Sequence, residues 1–121
     1  MIVGFDTLRD WVLDWAEDRG IFEKATPLAQ IEKTREEIEE TRDALIRLDE
    51  NSEVTVSSSP RRAKLDRDLK DGIGDTVVTL IILAHLCGTD IEECLEQAYN
   101  EIKDRKGKMI DGVFVKEGGS K

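Results

Sequence analysis

The run TVVTLIILAHL, Thr76 to Leu86, restricts the fold more than any other stretch of the chain. From Val77 onward it is apolar around the whole circumference of a helix, so a helix here has no face to offer to water. It is also far too short to span a bilayer. Such a segment has to be enclosed by other helices, and Asp71 and Asp75 stand one helical turn apart at its entrance. At about 100° per residue, Asp68, Asp71 and Asp75 share one face, which Val78, Ile82 and Leu86 continue. That pattern aims Asp75 inward.

The rest of the chain supplies the enclosing helices. Leu8, Trp11, Val12 and Trp15 recur at helical spacing from about Asp6 to Asp18, with Gly20 placed to end the helix. Thr26-Pro27 is an N-cap followed by proline at the first helical position. The helix it opens extends to about Asp49, with Leu28, Ile31, Ile38, Leu45 and Leu48 as its apolar stripe. NSEVTVSSSPRR, Asn51 to Arg62, is serine-rich, contains Pro60 and reads as a loop. The long third helix follows from about Ala63 to Leu86, stopped at Gly88. A fourth runs to about Arg105 behind a capping box of Thr89 and Glu92, with Ile91, Cys94, Leu95, Ala98 and Ile102 on one side. Past Gly107 the period changes. MIDGVFVKE sets Asp111-Gly112 between two short apolar runs, a hairpin signal, and GGSK reads as a disordered tail.

The expected architecture is all-α: one domain over residues 1–121, a four-helix bundle with an extended tail over 108–121. Helices this charged suit 37% Asp, Glu, Lys and Arg and only two prolines. Because one short bundle cannot cover every side of Val77 to Leu86, a homodimer or tetramer is expected to do so. A net charge of −9 argues against a nucleic-acid binder. Cys87, Cys94 and the single His85 lack zinc spacing. No leader is legible at Met1 to Gly4, so the expectation is a soluble, cytoplasmic protein without a membrane partner.

Two clusters carry chemistry. REEIEE places Glu37 and Glu40 one turn apart, with Glu37 beside Thr41, Ala44 and Leu48 and with Glu36 and Glu39 nearer solvent. Like charges at this spacing repel by about 0.2–0.5 kcal/mol even when exposed, and burial costs more unless they are paired. Lys33 and Lys70 are within helical reach of some of these acids. A charged, solvated seam is one explanation. The other is a hard cation, Mg²⁺ or Mn²⁺, which takes carboxylates, waters and substrate phosphates as ligands. Lys103, Arg105, Lys106 and Lys108, close to Asn100, form a basic cluster at the end of the fourth helix. They serve either the helix dipole or a phosphate group. Trp11, Trp15 and Phe22 are expected chiefly in the core, with stacking on a base as the alternative.

With these residues in view, the chain resembles the MazG-like nucleoside triphosphate pyrophosphohydrolases, particularly the small bacteriophage forms. The likeness rests on EEIEE (Glu36, Glu37, Glu40), on DGIGDTVVTLIILA with Asp75, on the lead-in ATPLAQIEKTREEIEE and on the ending AYNEIKDRKGKMIDGVFVKE. It covers about residues 5 to 117. The family places a glutamate three residues before the aspartate, where this chain has Gly72; Asp71 lies on the same side of the helix and is the substitute ligand. The resemblance implies an all-α oligomer that uses two or more Mg²⁺ ions to cleave an NTP or dNTP to the monophosphate and pyrophosphate. By position, Glu37, Glu40 and Asp75 correspond to metal ligands, with Asp71 as a fourth. Asn100 and Lys103 correspond to nucleotide contacts, and Glu36 is the group expected to orient or deprotonate the water. Arg105 and Lys106 join the phosphate set on charge alone. The alternatives are a narrower hydrolase of dUTP, dCTP or a guanine nucleotide, and a helical oligomer without catalysis.

Overall fold

The computed structural model describes residues 2–50 and 59–118. The chain is mostly helical: α1 (Phe5–Asp18), α2 (Ile21–Lys24), α3 (Pro27–Glu50), α4 (Pro60–Leu86), α5 (Ile91–Ile102), then β1 (Gly107–Ile110) and β2 (Val113–Lys116). Its contacts divide it into two compact units, Met1–Thr89 and Asp90–Lys121. Among the described residues no single helix is long and apolar enough to cross a membrane. Residues 51–58 of the loop expected over Asn51–Arg62, and the tail beyond Gly118, lie outside the described residues.

Helix ends follow local chemistry, with three corrections to the sequence reading. Pro60 opens α4 at its first position rather than closing a loop, because Ser59 caps the helix by accepting from the Arg62 backbone N–H at 3.1 Å. Asp90, not Thr89, caps α5, accepting from Glu93 N at 2.8 Å. α5 stops at Ile102, short of Arg105. Gly20 adopts φ 74° between α1 and the four-residue α2, which is too short to announce itself by periodicity. Thr26 caps α3 as expected, accepting from Ala29 N at 3.2 Å.

α3 and α4 form an antiparallel pair. Gln30 meets Thr79, Thr41 meets Gly72, and Arg47 meets Asp68, so one number falls as the other rises. The seam of α3 is Gln30, Thr34, Glu37, Thr41 and Ala44, spaced alternately four and three residues apart. Four of these are buried and Thr41 is half-buried. This corrects the expected stripe: Leu28, Ile31, Ile38 and Leu45 are exposed. The seam is selected for slimness and for polar atoms that find partners in the backbone. Gln30 Nε2 donates to the Thr79 carbonyl at 3.1 Å, and the Thr34 and Thr41 hydroxyls donate to the carbonyls of Gln30 and Glu37 at 3.2 and 2.7 Å.

The facing seam of α4 is Leu65, Asp68, Gly72, Asp75, Thr79 and Ile82, alternating three and four residues apart. Gly72 lies tight against α3, since a Cβ there would sit 2.5 Å from Thr41 Oγ1 and 3.2 Å from Thr41 Cα. α1 packs across α4 with Ala16 completely buried. Phe22 of α2 lays its ring 4.2 Å from that of His85. Among the described residues the buried apolar core is thin: Ala16, Ala44, Leu65, Ile81, Ile82 and Ala84.

In the second unit the hairpin pairs Gly107 with Lys116 and Ile110 with Val113. Asp111 and Gly112 both take positive φ, 51° and 85°, as the two-residue turn requires. The Asp-Gly expectation therefore held.

Candidate functional site

A cleft of about 290 Å³ lies on the α3–α4 pair, beside the Thr41–Gly72 and Arg47–Asp68 contacts. It is lined by Glu40, Asp43, Ala44 and Arg47 from α3 and by Asp68, Asp71, Gly72 and Asp75 from α4. The three aspartates on α4 share this side of the helix, as their spacing required. Five carboxylates thus face a single guanidinium across the lining.

Arg47 and Asp68 hold the far end together at 3.8 Å, and Lys64 Nζ reaches Asp68 at 2.9 Å. The Lys64 hydrogen bond, more than the charges of Lys64, Arg47 and Arg67, holds the Asp68 carboxyl below its ordinary pKa despite some desolvation. Glu40, Asp43, Asp71 and Asp75 have no hydrogen bond or ion pair among the described residues. Their oxygens are the cleft's unassigned acceptors.

The inward burial expected for Asp75 is not found: Asp71, Asp75 and Glu40 are all exposed in this chain. Asp75 shares the heptad positions of Gly72 and Thr79, yet its side chain is exposed at the cleft and not enclosed. The buried acid is Glu37, 7% exposed, which lies on the seam outside the cleft lining. Lys33 Nζ approaches it at 3.2 Å and reaches Glu36 at 3.7 Å. The hydrogen bond to Glu37 and its charge raise the Lys33 pKa above the ordinary 10.5. Glu36 itself is exposed to solvent. The structure therefore brings together Glu40, Asp71 and Asp75, and sets Glu37 and Glu36 on Lys33.

Position 72 has no room for the glutamate of the resembled motif, because its Cβ would strike Thr41. Asp43 and Arg47 are cleft residues that the sequence reading did not single out. Their signal was spacing, since they follow Glu40 by three and seven residues on the same face.

The donor set is oxygen only, from aspartate and glutamate, which matches a hard divalent cation and not zinc or copper. Among the described residues no three acidic, histidine or cysteine side chains are already drawn together as a metal cage. Mg²⁺ does not need one. It keeps several waters and takes one or two carboxylates plus substrate phosphates. The residues present fit such an ion.

In the second unit Asn100, Arg105 and Lys106 line one surface cleft with Glu101, Asp104, Lys116 and Glu117. Lys103 is the C-cap residue of α5 and is not part of that lining. Comparison with family models, with curated proteins and with solved structures found no match to this chain.

Proposed function

We propose that the chain is a Mg²⁺-dependent pyrophosphohydrolase that cleaves a nucleoside or deoxynucleoside triphosphate to the monophosphate and pyrophosphate. The observation that carries this reading is that Glu40, Asp71 and Asp75, from two antiparallel helices, line one open cleft. Acids without partners around a cleft of this size repel one another, and a hard cation relieves that repulsion.

Glu40, Asp71 and Asp75 would hold the ion, with Mn²⁺ able to substitute. When bound, it lowers the pKa of a water and offsets the charge of a triphosphate. Glu37 lies one turn before Glu40 and joins the ligand set if Lys33 releases it. Asp43 and Glu36 are the remaining carboxylates near the Glu40 turn that can orient a water. Asn100, Lys103, Arg105 and Lys106 carry the donors suited to phosphate oxygens.

The same reading includes self-association into a helical bundle of two or four copies. Its support is the imbalance between the thin core and the exposed Ile38, Leu45, Ile73 and Val77, which line one apolar groove with no carboxylate in it. Asp75→Ala tests the reading. It should abolish pyrophosphate release while leaving helical circular dichroism intact. Unchanged turnover in that variant would remove Asp75, and the cleft with it, from the reaction.

A further inference from the structure

Beyond α5 the charge of the chain reverses. Over residues 103–116 five cations, Lys103, Arg105, Lys106, Lys108 and Lys116, stand against two acids, in a protein whose net charge is −9. All five are exposed, and none has an ion pair among the described residues. On α3 and α4, by contrast, Lys33, Arg47, Arg62 and Lys64 each reach a carboxylate. The hairpin is also apolar: Met109 and Phe114, paired across the strands, are 65% and 51% exposed. Gly107 explains how Phe114 is held. A Cβ at position 107 would meet Phe114 Cζ at 2.6 Å, so the ring lies over bare backbone of the opposite strand. The ring is braced there while half of the residue stays open to solvent. Lys116 follows Phe114 by two residues and shares its face of the sheet. With Lys106 and Lys108 it lines a cavity of about 520 Å³.

A braced ring among unpaired cations suits a polymer of flat bases and phosphates. We infer that the β1–β2 hairpin is a binding site for single-stranded nucleic acid, with Phe114 stacked on a base and Lys106, Lys108 and Lys116 on phosphates. This goes beyond the nucleotide cleft and does not rest on the proposed hydrolysis. Stacking tolerates any base, because each has a π face, so no sequence is selected. The net charge that argues against a nucleic-acid binder belongs to the whole chain. At 0.1 M salt a charge is screened beyond about 10 Å, so the local surplus of cations decides. A membrane surface suits the hairpin less well, because the Asp111 carboxylate stands in the turn between the apolar strand ends. Insertion would bury that charge. Trp11 and Trp15, expected in the core, are also exposed. The groove they line includes Asp75 and no cation, so it offers a phosphate chain nothing.

Fluorescence anisotropy of a fluorescein-labelled oligothymidylate, titrated with the full chain in the absence of Mg²⁺ and nucleotide, tests this site alone. The single strand should bind, and more tightly than a duplex of the same length. Lys108→Gln combined with Lys116→Gln should flatten the log–log dependence of affinity on salt by about 1.4, each lost phosphate contact removing about 0.7. Phe114→Leu keeps apolar bulk over Gly107 but has no ring, and should weaken binding on the order of tenfold. Phe114→Tyr, which keeps the ring, should bind like the parent. None of these positions lines the acidic cleft, so pyrophosphate release should be the same in every variant, and failure here leaves the hydrolysis reading standing. No binding of the oligonucleotide at low salt would overturn the inference. So would equal binding of duplex and single strand that ignores Phe114, since that is diffuse charge attraction. Capture by anionic phospholipid vesicles with no binding of the oligonucleotide would assign the hairpin to a membrane surface and overturn it too.

Discussion

The Nζ of Lys33 lies 3.2 Å from Oε2 of Glu37, so the one buried acid of α3 is neutralised by a lysine a single turn earlier on its own helix. Lys33 is half in solvent, which screens the pair and limits what it contributes. Lys33→Met should lower stability by about 1 kcal/mol, because Glu37 stays buried without a counter-charge. Added Mg²⁺ should restore more stability to this variant than to the parent if Glu37 turns toward the ion. Chemical denaturation with and without Mg²⁺ measures both.

The same pair sets a pH limit on the alkaline side. The folded-state pKa of Lys33 is raised above 10.5, so its contribution is complete below that value. The contribution disappears as pH rises through the raised folded value. Asp68 behaves oppositely. Its pKa is lowered from 3.8, so its contribution is present above 3.8 and fades as pH falls through the folded value. Asp68→Asn should therefore flatten the acid limb of the stability profile and leave the alkaline limb unchanged.

Gly72 and Thr41 mark a close approach of α3 and α4. Gly72→Ala gains about 1 kcal/mol of helix propensity, but its Cβ would meet Thr41 Oγ1 at 2.5 Å and backbone at 3.2 Å. Overpacking of this kind costs about 1–3 kcal/mol, and Thr41 is held by its bond to the Glu37 carbonyl. The net expectation is loss of stability. Thr41→Ala in the same chain should recover part of it by removing the hydroxyl.

Much of this organisation is legible in the sequence. Heptad spacing placed Asp68, Asp71 and Asp75 on one side of α4, and Asp-Gly placed the hairpin turn. The buried stripe of α3 was not legible, because hydrophobicity pointed to Leu28, Ile31, Ile38 and Leu45. The seam instead took Gln30, Thr34, Glu37 and Ala44, which are slim or can bond to backbone. The exposure of Asp75 was hidden for a related reason. Period places a residue on a helix face, but only the packed neighbours decide whether the side chain is covered. Arg47 was missed because its partner Asp68 lies across the whole connection between α3 and α4.

If the cleft holds the cation, Mg²⁺ should protect the folded chain from heat. A single site at a hundredfold excess over Kd contributes about 2.7 kcal/mol. Asp71→Ala and Asp75→Ala should each lose most of that gain, and Glu36→Gln should keep it. A scan of Tm against Mg²⁺ concentration for the three variants separates the cleft from the neighbouring acids.

The central claim is hydrolysis at the α-phosphorus, and its direct test is a reaction in ¹⁸O-labelled water. Purified protein, Mg²⁺ and a panel of NTPs and dNTPs should give pyrophosphate and a monophosphate carrying the label. Label in inorganic phosphate would mean attack at the terminal phosphorus and a different reaction. No pyrophosphate from any nucleotide, together with no Mg²⁺ binding, would contradict the account and leave the carboxylates of α3 and α4 as a solvated seam.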